Sequence, residues 1–208
     1  MSEILALDPQ RTDNALLMAD CATLGYLVEP VVDVTYNMGR FWRKVPPPAI
    51  RFDLDEQWDA DVADFRNLPL NDASVSTIVL DPPYKLNGTS GGAGPSALDA
   101  GYGVGGGYIS VADTHKLITD GIDEAWRVLK VGGLLLLKCQ SQQSCGAMND
   151  QPGIFSTYAR ENGWRDVDRL HVITTPRKQP RKQRTARSNI STLVVLRKKR
   201  RHNTEGAA

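Results

Sequence analysis

The sequence of 208 residues is poor in the residue types that build metal sites and disulfide frameworks. It contains three cysteines, and its three histidines lack the spacing of a metal site. An odd number of scattered cysteines does not suit a disulfide framework either, so we interpret them as buried or unreactive thiols. The sequence therefore predicts no bound metal.

Long apolar runs are also missing. No stretch approaches the ~18 apolar residues that cross a bilayer, and the first residues, Met1, Ser2 and Glu3, lack the basic flank and apolar core of a signal peptide. The hydrophobic share of 41% and the charged share of 24% are typical of a globular protein. We expect a cytoplasmic protein without membrane contact, with a single domain over residues 1–199 and a disordered tail over residues 200–208.

The net charge of +1 hides a strongly basic carboxyl-terminal segment. From Arg177 onward, 11 of the 25 Lys and Arg residues meet a single acid, Glu205, for a net charge of +10, whereas residues 1–176 carry −9. An acidic body does not hold a polyanion, but this segment can. The alternative is a solvated loop with a frayed tail. We predict a basic loop over residues 176–189 that contacts nucleic-acid phosphates through Arg177, Lys178, Arg181, Lys182, Arg184 and Arg187.

Predicted strands and helices alternate along most of the chain. Short apolar runs predict strands at 31–35, 50–53, 62–65, 75–80, 134–138, 167–174 and 191–196. Apolar residues at helical spacing predict helices at 13–24, 110–130 and 155–161. This order indicates an α/β fold: a three-layer, mostly parallel seven-stranded sheet with an antiparallel edge strand.

Residues 85–107 are rich in glycine and contain nine of the 18 glycines. Glycine loses much backbone entropy on ordering, so regular structure is costly in this segment. A loop of this length in a small domain is usually functional or disordered. We predict a flexible lid over a binding site, with a disordered surface insertion as the alternative.

The most informative residues are Asp81-Pro82-Pro83-Tyr84, which directly follow the apolar run 75–80. The prolines end that strand because neither can donate a hydrogen bond to a neighbouring strand. The turn presents a carboxylate, the Pro82 carbonyl and an aromatic ring at the carboxyl end of a strand, where α/β sheets bind ligands. The alternative is a strand-ending turn in which Tyr84 packs on the core.

These four residues suit chemistry on the exocyclic amine of a nucleobase. Such an amine is a poor nucleophile because its lone pair is delocalised into the ring. The Asp81 carboxylate and the Pro82 carbonyl can each accept one N–H and turn the lone pair toward an electrophile. Tyr84 offers a face on which a base can stack, and Pro83 adds the stiffness that positioning requires. We predict that Asp81, Pro82, Pro83 and Tyr84 form the catalytic set.

The tetrapeptide resembles motif IV of the S-adenosylmethionine-dependent amino-methyltransferases, which methylate adenine N6 or cytosine N4. The Phe41-Trp42 pair adds a similarity to small phage and bacterial site-specific DNA methylases. The resemblance spans about residues 31–138. It implies a Rossmann-like class I methyltransferase fold, S-adenosylmethionine as cofactor, base flipping, and adenine N6 in DNA as the favoured acceptor.

The resemblance also implies a cofactor site at the ends of the first three strands. It places the turn 33–39 against the methionine part of the cofactor, Asp53 at the ribose hydroxyls, and residues 64–65 at the adenine. Asn37 stands where these enzymes usually have glycine, and asparagine tolerates the positive φ of such a turn. The implied cofactor-binding residues are Asp33, Thr35, Tyr36, Gly39, Asp53, Asp64 and Phe65.

Several alternatives to adenine methylation in DNA remain open from the sequence. The acceptor can instead be cytosine N4 or an RNA base, or the chain can be an inactive nucleic-acid-binding module on the same fold. Methylation of protein side-chain amides is less favoured, because that family usually has Asn at the head of the motif. No large insertion offers a target-recognition domain, so sequence selectivity is modest or is supplied by a partner protein.

Overall fold

A computed structural model describes residues 11–86, 110–144, 146–173 and 189–200. Its helices are α1 (Asn14–Thr23), a 3₁₀ helix (Arg40–Trp42), α2 (Val111–Val128) and α3 (Gln151–Glu161). Its strands are β1 (Val31–Asp33), β2 (Ile50–Asp53), β3 (Asp61–Val62), β4 (Val75–Leu80), β5 (Leu129–Cys139), β6 (Gln142–Ser144), β7 (Ala147–Asn149), β8 (Trp164–Ile173) and β9 (Ile190–Lys198). Most of the predicted lid and of the basic loop, and residues 201–208 of the predicted tail, lie outside the described ranges.

Seven strands form one sheet in the order β3-β2-β1-β4-β5-β9-β8. The pairs from β3 to β5 are parallel, whereas β9 runs antiparallel to both β5 and the edge strand β8. The predicted α/β class, with a mostly parallel seven-stranded sheet and antiparallel pairing at one edge, is confirmed. From β1 the chain continues outward to β2, while β4 lies on the other side of β1. Such a reversal opens a crevice at the carboxyl ends of the two strands.

Helices cover both faces of the sheet. On one face, Leu80 of β4 packs in a core with Ile122 of α2 and Phe155 of α3. On the other, Val79 packs with Met18 of α1 and with Trp42 of the 3₁₀ helix. Strands with both faces covered are apolar without alternation, which explains the continuous apolar runs of β4 and β5. The predicted three layers are confirmed.

Helices α1 and α2 begin where the sequence predicts. The Asp13 carboxylate accepts a hydrogen bond from the Leu16 N–H at 2.8 Å at the start of α1, and Ser110 and Asp113 form a capping box at the start of α2. The end of α2 differs slightly from the predicted end at residue 130. The helix ends at Val128 because the next residues already pair with β4.

Two local predictions were wrong, and one element was missed. The third strand was placed at 62–65, but β3 is Asp61–Val62, and Asp64 and Phe65 have already left the sheet. The third helix begins at Gln151 rather than at residue 155. The β6–β7 hairpin was not predicted, because its polar residues carry no apolar alternation.

No helix in the described ranges is long and apolar enough to cross a membrane.

Candidate active site

The predicted catalytic turn (residues 81–84) and the predicted cofactor turn (residues 33–39) meet at the crevice beyond β1 and β4. These strands are parallel neighbours, with Asp33 opposite Val79, so the segments that follow them leave the sheet side by side. The Asp81 N–H donates a hydrogen bond to the Thr35 hydroxyl at 2.8 Å. This bond joins the backbone of one turn to a side chain of the other.

Lys138 at the end of β5 lies directly beside the catalytic turn. Leu137 pairs with Leu80. The residues that follow them, Lys138 and Asp81, therefore also lie together. The Lys138 ammonium is 3.2 and 3.4 Å from the two Asp81 carboxylate oxygens and 3.2 Å from the Tyr84 hydroxyl. Sequence reasoning gave this residue no role. The available signal was a single charge after four consecutive leucines in a buried strand.

Burial and charge pairing together set the protonation of this cluster. Burial raises the pKa of the Asp81 carboxyl, and the Lys138 ammonium opposes that rise. Burial alone would lower the pKa of Lys138, but the charge of Asp81 and the contact with Tyr84 outweigh it and raise the pKa. Burial and the Asp81 charge raise the pKa of Tyr84. At neutral pH we therefore take Lys138 as an ammonium and Tyr84 as a neutral phenol.

Two glutamines hold the main chain of Tyr84. The side-chain amides of Gln142 and Gln151 donate to the Tyr84 carbonyl at 2.8 and 2.9 Å. The Gln142 side-chain oxygen also accepts from the Leu86 N–H at 3.2 Å. Both glutamines follow β5 in a polar stretch without periodicity, so the sequence offered no signal for this contact. They fix the chain where it enters the Gly-rich segment.

The Tyr84 ring is half-buried and packs against the core that contains Leu80 and Phe155. The alternative interpretation, in which Tyr84 packs on the core, is thus partly correct. The Lys138 ammonium lies 5.2 Å from the centre of the ring. Among the described residues, none donates a hydrogen bond to the Pro82 carbonyl, which leaves this oxygen as an acceptor. Stacking of a base on Tyr84 stays a prediction.

Asp33 holds the cofactor turn through hydrogen bonds to its side chain. One carboxylate oxygen accepts from the Thr35 N–H at 3.0 Å, and the other accepts from the Trp42 indole N–H at 2.6 Å. Burial raises the pKa of Asp33 to about 7, although these two hydrogen bonds oppose the rise. Both oxygens are engaged with the protein, so the structure shows Asp33 as a support of the turn. Its direct contact with a cofactor stays a prediction.

The cofactor turn has the backbone conformation that the sequence predicts. Asn37 has φ +49° and Gly39 has φ +62°, so the expected tolerance of Asn37 for positive φ is confirmed. The Asn37 N–H donates to one Asp53 oxygen at 2.8 Å, and the Asp55 N–H donates to the other at 3.0 Å. Asp53 at the end of β2 thereby joins the turn to the second strand. Each of its oxygens keeps a lone pair for a further donor.

Gly39 is expected to be required for the shape of this turn. A Cβ at Gly39 would lie 2.7 Å from the Tyr36 hydroxyl, and a side chain at its φ of +62° is strained. We expect Gly39→Ala to weaken S-adenosylmethionine binding about tenfold, because strain of about 1–2 kcal/mol and a displaced Tyr36 both distort the turn. Isothermal titration calorimetry measures the change.

Gly25 provides a matched control for this substitution. It has a φ of +72°, but its added Cβ would meet nothing within 4 Å. Gly25→Ala therefore introduces similar backbone strain away from the crevice and is expected to leave cofactor affinity unchanged. Equal losses of affinity in both variants would mean that general strain, rather than the turn itself, lowers binding.

Asp64 and Phe65 lie beyond β3 in an arrangement that the sequence did not predict. The Asp64 carboxylate binds the Arg66 guanidinium, with Nε 3.0 Å from each oxygen. Burial would raise the pKa of Asp64, but the hydrogen bonds and charge of Arg66 lower it. Phe65 is 1% exposed, and its ring fills the space over Gly121 of α2. Their contact with a cofactor adenine stays a prediction, and this placement of Phe65 does not favour it.

The remaining predicted groups are partly outside the described ranges. The basic side chains of 177–187 lie there, as does Cys145. Cys21 and Cys139 are buried free thiols, as predicted, and burial raises the pKa of Cys21 to about 12. Across the part of the chain that the structure describes, no three His, Cys, Asp or Glu side chains are arranged to hold a metal ion.

Comparison with known proteins shows the fold. No protein-family model matches the sequence, and no curated protein matches it. Among solved structures, a chain of the Haloferax volcanii complex between the Trm112 methyltransferase activator and a protein assigned as a methyltransferase is 17% identical, with 89% of this chain and 90% of that chain covered and a TM-score of 0.52. TrmN from Thermus thermophilus is 17% identical, with 88% and 48% covered and a TM-score of 0.50.

A third solved structure limits what this likeness means. The [4+2]-cyclase SpnF is 12% identical, with 88% of this chain and 80% of that chain covered and a TM-score of 0.52. The same Rossmann-like fold thus carries a methyltransferase name in one neighbour and a cyclase name in another. The fold of this chain is that of class I methyltransferases, and its reaction has to be argued from the crevice.

Proposed function

We propose that this protein is an S-adenosylmethionine-dependent methyltransferase that acts on the exocyclic amine of a nucleobase, with adenine N6 in DNA as the acceptor. The observation that carries the proposal is the hydrogen bond between the Asp81 N–H and the Thr35 hydroxyl at 2.8 Å. It brings the Asp-Pro-Pro-Tyr turn and the turn after β1 to one crevice. A methyl donor and an amine acceptor need two such adjoining sites.

The residues of the turn after β1 fit the proposed cofactor. Asp53 can accept ribose hydroxyls through the lone pairs that Asn37 and Asp55 leave unused. The backbone of the turn bends through Asn37 and Gly39, both at positive φ, and this turn would lie against the methionine part. The cofactor would supply an electrophilic sulfonium methyl group.

The residues of the catalytic turn would hold the acceptor. The amine would donate one N–H to the Asp81 carboxylate and the other to the Pro82 carbonyl, which turns its lone pair out of the base plane. Pro82 and Pro83 keep the two acceptors in fixed relation. The amine loses its proton readily after alkylation, so the site needs no strong general base.

The net charge of +10 from Arg177 onward supports a polyanionic substrate. It favours a nucleic acid over a protein amide as the acceptor. It does not separate DNA from RNA, because both present phosphates. A partner protein that supplies sequence selectivity is part of the same proposal.

Expression in a host that lacks DNA methylation tests the proposal directly. Digested genomic DNA and total RNA are analysed by mass spectrometry for N6-methyladenine and N4-methylcytosine. We expect N6-methyladenine in the DNA of cells that express the protein and none in cells that carry the empty vector. N4-methylcytosine alone would move the acceptor to cytosine, and methylated bases in RNA alone would move the substrate to RNA. If the purified protein binds no S-adenosylmethionine at millimolar concentration, the proposal is wrong.

A further inference from the structure

Lys138 is a buried charge whose side chain, among the described residues, makes polar contacts with two proposed catalytic residues. Its side chain is 6% exposed, and an ammonium in a protein interior is costly unless it is paired. Two of its contacts are the Asp81 oxygens, at 3.2 and 3.4 Å, and the third is the Tyr84 hydroxyl at 3.2 Å. An ammonium has three protons, so these contacts use its whole donor capacity.

The two charged side chains differ in their exposure to solvent. The Asp81 side chain is 26% exposed, against 6% for Lys138. The carboxylate is therefore the more exposed end of the pair, and a ligand in the crevice would meet its negative charge first. A positive charge that grows on an alkylated amine would face Asp81 first.

The ammonium is also held in place by aromatic rings. Its nitrogen lies 5.6 Å from the centre of the Phe41 ring and 5.2 Å from that of Tyr84, distances at which a cation is attracted to a ring. Lys138 belongs to β5 and Asp81 follows β4, which are paired strands of the sheet. Both ends of the pair are thus fixed by rigid structure.

We propose that Lys138 is a positioning residue that holds Asp81 as a fixed hydrogen-bond acceptor directed toward the crevice. The inference rests on the proposed amine methylation, in which Asp81 accepts an N–H of the base. Because Lys138 binds both oxygens, the carboxylate cannot rotate freely. Because it balances their charge, Lys138 opposes the rise in the Asp81 pKa that burial causes and so favours the carboxylate form. Asp81 then orients the amine rather than removing its proton.

Other charged or titratable groups also surround Asp81. Lys85 follows the catalytic turn and adds positive charge, but it is exposed and therefore screened. Asp33 of β1 adds negative charge, and the Cys139 thiol of β5 is buried beside the pair. Lys138 touches the carboxylate and is shielded from water. We therefore expect removal of Lys138 to change the titration of Asp81 more than removal of any of the other groups does.

Titration of the Asp81 carboxyl tests the proposal without any activity assay. In carbon-13 NMR of the full chain with labelled aspartate, the Asp81 signal is the one absent from Asp81→Asn. Lys138→Met keeps most of the side-chain length and removes the charge. We expect this variant to raise the pH at which Asp81 titrates by about 1–3 units, the usual effect of losing an adjacent opposite charge. Lys116→Met, which removes an exposed lysine of α2, is the matched control and should leave the titration unchanged.

The pH dependence of methyl transfer gives a second readout. If Asp81 must be ionised to accept the amine, the rate of Lys138→Met should fall as the pH drops through the raised titration point and recover above it. Lys138→Arg keeps a positive charge and should move the titration back toward that of the unaltered protein. A purely structural role for Lys138 predicts a loss of rate that is equal at every pH.

The outcomes separate this proposal from the proposed function. Unchanged titration of Asp81 in Lys138→Met overturns the role of Lys138. If the unaltered protein transfers no methyl group, the proposed function fails, and the titration still decides the role of Lys138. Should Lys138→Met fail to fold, the double variant with Asp81→Asn is expected to fold, since it no longer has an unbalanced buried carboxylate. Equal failure of both would make Lys138 a residue of the core and would also overturn the proposal.

Discussion

Replacing Asp81 with alanine is expected to lower methyl transfer to DNA at least about 100-fold, with little change in S-adenosylmethionine affinity. The substitution removes the acceptor that would orient the amine, which is a contact made at the reacting group. It keeps the link to the cofactor turn, because Thr35 accepts from the main-chain N–H of residue 81 and not from its side chain. The measurements are single-turnover methyl transfer and calorimetric titration of the cofactor.

Two controls accompany this variant. Asp59→Ala removes an exposed carboxylate that pairs with Arg51, and it should retain full transfer. Asp81→Ala also leaves the Lys138 ammonium without a counter-charge, which can cost about 3–5 kcal/mol of stability. The double variant with Lys138→Met removes both charges and should fold without transferring. Loss of cofactor binding in a folded Asp81→Ala protein would show that Asp81 supports the structure, and full transfer would refute its proposed catalytic role.

The second large effect concerns Asp33 and the pH dependence of stability. Burial raises its pKa from 3.8 to about 7 in the folded protein. A carboxyl whose pKa is raised by folding contributes its stability below the unfolded pKa and loses it as the pH rises through the folded value. We therefore expect the free energy of unfolding to fall by about 3 kcal/mol between pH 4 and pH 7 on account of this one group.

Comparison with Asp33→Asn isolates this effect. Asparagine keeps an acceptor for the Thr35 N–H but does not titrate, and any fixed cost of the substitution is the same at each pH. Urea unfolding of both proteins between pH 4 and pH 8 should show the unaltered protein losing about 4 kcal/mol relative to the variant. Trp42→Phe removes a hydrogen bond that lowers the pKa of Asp33. The pKa of Asp33 should rise further in this variant, so the variant should go on losing stability to a higher pH than the unaltered protein. Parallel pH curves for the unaltered protein and Asp33→Asn would contradict the expectation.

Much of the fold could be predicted from the sequence because it depends on local pattern. The strand at Val75–Leu80 matches its apolar run residue for residue, and the prolines that follow end it in the sheet. The cap residues Asp13 and Ser110 mark the helix starts for the same local reason. Where the local pattern is weak, the prediction was wrong for the two-residue strand β3 and missed the polar hairpin β6–β7.

The candidate site could be predicted only in part. Asp81, Thr35, Asp53 and Gly39 each end or follow a strand, and parallel strands bring such residues to one edge. Lys138, Gln142 and Gln151 were missed because their role depends on the register between β4 and β5 and on the chain that follows β5. No spacing within the sequence encodes which residue lies opposite Asp81.

The sequence by itself determined the α/β class, the position of the proline-braced turn and the tolerance of Asn37 for positive φ, since each follows from periodicity or from the allowed backbone of one residue. Only the tertiary structure decided that Asp33 is held by Trp42 and that Asp81 is paired with Lys138. These are contacts between segments far apart in the chain. Their protonation depends on burial, which exists only when the layers are packed.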